Sequence, residues 1–416
     1  MKTIIKKLVG PRLMYEIKGQ YRYWKNFSKI STLKKIEYNE EVVKKIKVFQ
    51  KPNKHIFCGY YDIAPDNPFN SNQILVHVLD KAADVKKTKI DICIADIDTG
   101  KLNKITSSKA WCWQMGARAR WSKEKDIIYY NDVTNNGYCC KKVNVVNKDI
   151  IKEFSMALYD ISADEKIGLS INFDRLQRLR PGYGYSNWDD VTINEMNPMQ
   201  DGLYIVDLEN DRKTLLVSFA ELAGDLPEAK NHSGYINHIS ISPNADKAMF
   251  FYIWKTDVKP GWKATLWIID LKTKERKCIE SCDQVSHYTW QNNDCLLITG
   301  CHNSDKTMFY RCYDISSAEV YEVNDHDLRK DGHPTFSRMK KNMFYSDTYP
   351  DEKLRQHFFL YDNQYIEIMA LFHDPRMYGE KRCDLHPHYF DSCEAIALDS
   401  TFLKNRRSVV VVEMEK

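Results

Sequence analysis

The 416-residue chain has no run of about 18 consecutive apolar residues, the length a helix needs to cross the hydrocarbon of a bilayer, so no helical membrane span is expected. It also lacks a charge bias: Lys and Arg number 61 against 57 for Asp and Glu, a formal net charge of +4. That is too little to hold a nucleic-acid backbone by bulk electrostatics, so no nucleic-acid partner is expected and any anionic ligand must be met by local groups. The twelve cysteines form no CxxC pair and no compact framework spacing, which excludes a disulfide scaffold and suits reduced thiols in a cytoplasmic protein. No Gly-rich phosphate loop occurs, which argues against an ordinary nucleotide-sugar site. The basic start, Met1 to Lys7, has too short an apolar run before Gly10-Pro11 to be a signal-peptide core, and export is not expected. Helical periodicity is nearly missing after residue 47.

What is present is a repeat. An outer phrase of alternating apolar residues ending at an Asp or Asn turn occurs at 91–100, 142–149, 202–210 and 265–273, with weaker copies at 308–316, 357–363 and 408–414. Such period-two alternation between Asp, Asn and Gly turns is the signature of hairpin-linked strands. Inner phrases alternate with the outer ones, for example His238-Ile-Ser-Ile-Ser-Pro243 running to Phe250-Phe-Tyr252, and His333-Pro-Thr-Phe-Ser337 running to Met343-Phe-Tyr-Ser-Asp347. Each pair makes a four-stranded blade, and seven blades closed radially make an all-β, seven-bladed β-propeller. The expected organisation is a basic, Tyr-rich, partly helical extension over residues 1–47 and a propeller over 48–416, with a long insertion at about 174–200 set at the channel mouth. The extension reads as a solvated packing arm, with peripheral contact to anionic lipid as the alternative.

The repeat puts the first residue of every inner phrase at an equivalent place beside the axis. That column reads Tyr60, Arg118, Leu158, His238, His287, His333 and His386. Several buried imidazoles in one column point to a site, because each would be costly without a partner. In Cys383-Asp-Leu-His386-Pro-His388, extended alternation turns both histidines to one side beside a thiol. With His333 from the preceding blade, Cys383, His386 and His388 could close a four-coordinate zinc site. The structural alternative is a buried thiol at Cys383 and a surface histidine at His388.

This segment resembles the Gln-x-x-His-Pro-His-Pro segment of oligogalacturonate lyases, and most of residues 50–416 resembles the propeller-fold polysaccharide lyases, including the short ulvan lyases, in architecture and in short motifs of sequence. The resemblance implies that Cys383, His333, His386 and His388 hold a divalent metal. Cys383 stands where the family has Gln, which favours zinc over the family's manganese. Ser286-His287-Tyr-Thr-Trp290 looks like a substrate-proximal phrase of the same family, and His55 and His77 look like the paired histidines of ulvan lyases.

A lyase of uronic-acid polymers must neutralise a carboxylate, remove the C5 proton and protonate the leaving oxygen. The base candidates are His55, His77, His238 and His287. The carboxylate candidates are Arg118, Arg120, Arg175, Arg178 and Arg180, each with a solvated surface role as its alternative. In Arg180-Pro-Gly-Tyr-Gly-Tyr185 the glycines present Tyr183 and Tyr185 for sugar stacking or proton donation, while Asp347 is expected to orient neighbours. The expected ligand is an acidic oligosaccharide or polysaccharide cleaved by β-elimination. A glycosyltransferase or other sugar-modifying enzyme of surface-polysaccharide biosynthesis, or a non-catalytic propeller scaffold, are the competing readings.

Overall fold

The computed structural model describes residues 2–256, 261–323, 325–338, 340 and 342–415. The turns of the outer phrases explain its regularity. In Asp270 the side chain accepts the backbone N–H groups of Lys272 (2.8 Å) and Thr273 (2.7 Å), and Asp314, Asp207 and Asn144 cap their hairpins the same way. A short polar side chain mimicking a backbone turn is what lets two strands reverse in so few residues. Strands in the middle of a blade are apolar on both faces, as in Lys247–Lys255 and Ser408–Met414, because each blade packs against a neighbour on either side.

The hairpins assemble into seven antiparallel sheets, the expected β-propeller. The first blade comprises Lys54–Phe57, Asn70–Asp80, Ile90–Asp96 and Leu102–Ser108, with Asp66–Asn67 added to its second strand. The second runs from Arg120–Trp121 to Ile150–Phe154, the third from Asp160–Ile161 to Arg212–Ser218, and the fourth from Gly234–Ile241 to Arg276–Glu280. The fifth spans Gln284–Trp290 to Val320–Glu322, and the sixth Thr335–Phe336 to Tyr365–Phe372. The seventh holds His388–Tyr389, Ala395–Ser400 and Ser408–Met414.

The ring is closed by residues from the other end of the chain. Val43–Phe49 pairs antiparallel with Ser408–Met414 as the outer strand of the seventh blade, with Ile46 opposite Val412. Ile36–Tyr38 adds a fifth strand to the sixth blade. The expected boundary at residue 47 therefore falls inside a blade strand; its alternation, Val43-Lys-Lys-Ile-Lys-Val-Phe49, is obscured by three lysines whose side chains face outward or half-outward. Two helices precede these strands, α1 (Lys2–Lys25) and α2 (Phe27–Thr32). No helix among the described residues is long and apolar enough to cross a membrane.

The insertion separates the second and third strands of the third blade and carries α3 (Phe173–Leu179), whose first turn is capped by the Asn172 side chain accepting the Arg175 N–H at 2.9 Å. Beyond it Gly182 adopts φ +99°, and Gly184 lies so close to α3 that a Cβ would stand 2.1 Å from the Phe173 carbonyl oxygen. Only glycine fits both places. The consequence is a tight double turn that sends Tyr183 toward the axis and Tyr185 into the core.

Candidate active site at the channel mouth

The inner strands break where the histidine column crosses them. The register of Gly234–Ile241 against its neighbour shifts between Asn237 and Ser240, and that of Gln284–Trp290 between Val285 and His287. Arg118, His238 and His386 occupy the left-handed region at φ 53°, 56° and 47°. A bulge re-aims a side chain, and backbone in this region persists where surrounding structure enforces it, often at functional sites. These breaks turn the column inward. Ring centroids of His287 and His333 lie 4.0 Å apart, those of His333 and His386 4.5 Å, and those of His238 and His287 5.9 Å. Tyr60 sits 4.9 Å from His386 and 5.3 Å from His238, with Tyr61, Tyr183 and Tyr349 around them.

Carboxylates set the state of these rings. His287 Nδ1 lies 3.1 Å from Asp331 Oδ1, and Asp331 is itself held by the hydroxyls of Ser286 (2.7 Å) and Thr299 (2.9 Å). Burial raises Asp331, but His287, Ser286 and His333 outweigh it and bring it down to about 2. His287 is lowered from its ordinary value by burial and by His333. A neutral imidazole donating Nδ1–H to an ionised Asp331 keeps a lone pair on Nε2, the state a general base needs. His238 differs, because both nitrogens are engaged: Nδ1 with the Tyr60 hydroxyl at 2.9 Å and Nε2 with Asn237 Nδ2 at 3.2 Å.

Three other imidazoles share a second pattern. Nδ1 of His333 meets Asp347 Oδ1 at 2.8 Å, Nδ1 of His386 meets the Gly59 carbonyl at 2.8 Å, and Nδ1 of His388 meets the Ile63 carbonyl at 2.9 Å. In all three, Nε2 is buried without a hydrogen-bond partner among the described residues. Oxygen acceptors that fix Nδ1–H and leave Nε2 bare are the outer shell of metal-binding histidines. Ligand atoms of His333, His386 and Asp384 lie within 4.8 Å of one another, a donor set of two imidazoles and a carboxylate that fits a divalent cation. Asp347 also accepts the backbone N–H of His333 and of His386, so it orients the pair as expected.

This group is not the expected four ligands. Cys383 belongs to no such group among the described residues; its thiol lies 3.7 Å from the Asp384 carbonyl oxygen, and burial raises it. His388 groups instead with Cys58 and Asp399. The left-handed turn at His386 breaks the extended alternation that would have put His386 and His388 on one side. Without sulfur among the donors, the reason to prefer zinc over manganese at His333 and His386 is gone.

A cavity of about 100 Å³ opens on this cluster, lined by Arg180, Tyr183, His238, His287, Asp331 and Tyr349 among others. It adjoins one of about 650 Å³ through shared Trp262, Ser286 and Asp331, which continues outward past Lys306 and Met308. The Arg180 guanidinium makes no hydrogen bond or ion pair among the described residues and stacks on Tyr183 at 5.3 Å, while its main-chain N–H caps α3 on the Leu176 carbonyl. Tyr183 accepts a hydrogen bond from Arg382 at 3.1 Å, which leaves its own proton uncommitted.

The remaining candidates stand elsewhere. Arg118 is buried in a bidentate pair with Asp62, both bonds 3.0 Å, and also donates to the Tyr159 carbonyl. Arg120 pairs with Asp160 at 2.8 Å and Arg178 with Asp190 at 2.7 Å. Arg175 is fully buried and binds Thr192 and the carbonyls of Gly234, Glu195 and Met196, so it fastens the insertion to the fourth blade. Tyr185 stacks on Phe173 at 4.4 Å and accepts from Asn131. His77 bridges the Cys58 carbonyl and the Ala117 N–H, while His55 accepts the Arg407 N–H and lines a different cavity, of about 720 Å³, between α1 and the first blade. Sequence reasoning missed Asp331, Asp384, Arg382 and Tyr349. The first three lie within four residues of His333 or His386, so their proximity in sequence was an available signal.

No protein-family model matches the chain, and no curated protein matches it. Solved structures do match. An oligogalacturonate lyase in complex with manganese superposes with a TM-score of 0.61 at 11% identity, covering 92% of this chain and 96% of that one. The oligogalacturonate lyase from Vibrio parahaemolyticus gives 0.62 at 10% identity, covering 91% and 97%. At such identity the likeness shows the fold alone, a seven-bladed β-propeller shared along nearly the whole chain.

Proposed function

We propose that the protein is a lyase that cleaves acidic, uronate-containing oligo- or polysaccharide by β-elimination. The observation that carries this reading is the meeting, on one cavity, of a neutral imidazole held by an ionised carboxylate, an uncommitted guanidinium and a phenol supported by a second guanidinium. Arg180 pairs with the substrate carboxylate and offsets the charge that grows on it as the C5 proton becomes acidic. His287 Nε2 takes that proton while Asp331 stabilises the imidazolium formed. The C5–H electron pair becomes the C4=C5 double bond, and the C4–O bond breaks. Tyr183 delivers a proton to the departing oxygen, and Arg382 stabilises the phenolate left behind.

A divalent cation held by His333, His386 and Asp384 would supply further positive charge for a uronate carboxylate when bound. Lys306 and Trp262 along the outer cavity suit a neighbouring acidic sugar by charge and by stacking.

The direct test incubates the full-length protein, with manganese or zinc present, with pectic, ulvan-type and glycosaminoglycan oligosaccharides and follows the ultraviolet absorbance of the unsaturated product. Appearance on at least one substrate is expected; silence on all of them overturns the reading. On the active substrate, Arg180→Ala is expected to lower kcat/KM by roughly 30-fold, the factor for a lost charge-assisted hydrogen bond of about 2 kcal/mol. The same variant should unfold close to the wild-type temperature, because the guanidinium holds no hydrogen bond among the described residues and the main-chain bonds of residue 180 survive the change.

A further inference from the structure

One group of ligand-type side chains takes no part in the chemistry above. Cys58 follows the inner strand Lys54–Phe57 of the first blade, while His388 and Asp399 lie on the inner and second strands of the seventh. One ligand atom from each falls within 4.8 Å of the other two. We propose that Cys58, His388 and Asp399 form a second metal site, separate from His333, Asp384 and His386, that takes a zinc-class divalent cation and fastens the first blade to the seventh.

Four observations support it. His388 is buried, and its Nε2 has no partner among the described residues although its Nδ1 is fixed on the Ile63 carbonyl. A bare imidazole nitrogen in the interior costs free energy unless something binds it. The donors are a thiol, an imidazole and a carboxylate, the mixed set that suits zinc and leaves one tetrahedral position for water. His388 and Asp399 are 1% and 0% exposed, so an ion held between them and Cys58 sits out of bulk water.

The fourth observation is the place. The seam between the first and last blades is where the ring closes, and it is already laced by main-chain bonds. Asp399 accepts the N–H groups of Cys58 (2.8 Å) and Gly59 (3.3 Å), Ile56 donates to the Arg407 carbonyl (3.1 Å), and Asp66 accepts the N–H groups of Asp391 and Ser392. A cation bound by side chains from both blades adds a link in the same place. Binding converts the Cys58 thiol to thiolate and releases its proton to solvent, with no change of oxidation state. This proposal does not depend on the lyase reading.

Cys58→Ser is a mild probe, since Asp399 is held by the backbone N–H of residue 58 and not by the thiol. The full-length protein is stripped with a chelator, reloaded by dialysis against zinc or cobalt(II), and analysed for metal content and visible absorption. Two ions per chain are expected in the wild type, one at Cys58, His388 and Asp399 and one at His333, Asp384 and His386, and one fewer in Cys58→Ser or in His386→Ala. The cobalt protein should show a thiolate-to-cobalt charge-transfer band that survives His386→Ala and vanishes in Cys58→Ser. A metal content in Cys58→Ser equal to that of the wild type, or no charge-transfer band in the cobalt-loaded wild type, each overturns the proposal.

Discussion

Replacing His287 by Ala is expected to lower kcat on a cleaved uronate oligosaccharide about a thousandfold, the middle of the range for losing a positioned general base. Two features of the structure set the expectation. His287 combines a wall position in the mouth cavity with a carboxylate that fixes its tautomer, whereas both nitrogens of His238 are engaged by Tyr60 and Asn237. Asp331→Asn is the sharper companion. It preserves the shape of the pocket, and the amide is still held by Ser286 and Thr299, but it removes the charge that stabilises the imidazolium. A fall in kcat with little change in KM is therefore expected for it, because substrate binding does not need the charge. Steady-state kinetics with thermal unfolding measured beside them decide the matter. Retention of activity within about threefold by a folded His287→Ala protein removes His287 from the role of base.

Much of this arrangement was legible in the sequence because the repeat is written in turn chemistry. Asp207, Asp270 and Asp314 recur since each caps a hairpin with its own side chain, and that recurrence registers the inner strands against one another. Once the register is known, His238, His287, His333 and His386 fall into one column, and the rings do meet at the axis. Other features hid from pattern reading for physical reasons. Ring closure by Val43–Phe49 is a pairing between the two ends of the chain, which no local periodicity records. The left-handed residues at Arg118, His238 and His386 break the two-residue alternation at the very places where side-chain direction matters, so His388 goes to Cys58 and Asp399 and not to His386. Arginine was the least readable residue type. Arg175 and Arg180 lie five residues apart on one insertion, yet one is sealed in the interior by four acceptors and the other faces a cavity.

Arg118 puts that difference to a quantitative test. Its guanidinium is 2% exposed and the Asp62 carboxylate 8% exposed, joined by two parallel hydrogen bonds. It also donates to the Tyr159 carbonyl and stacks on the Tyr159 ring at 4.4 Å. Burial pushes Asp62 up, and Arg118 holds it back. Among the described residues, Arg118→Ala leaves the buried Asp62 carboxylate with the Tyr288 hydroxyl at 3.2 Å as its hydrogen-bond partner, and breaking a buried pair in this one-sided way costs about 3–5 kcal/mol. A large drop in the urea midpoint is expected. Removing both charges with similar volumes, as in Arg118→Met with Asp62→Leu, is expected to recover most of that loss, since a buried pair and an apolar pair of the same size are often close in stability. A substrate-binding arginine behaves otherwise: its Ala variant folds like the wild type and shows its loss in kcat/KM. Chemical unfolding of the single and double variants separates the two roles even before a substrate is known, because an arginine reserved for a ligand leaves the stability of the free protein nearly unchanged.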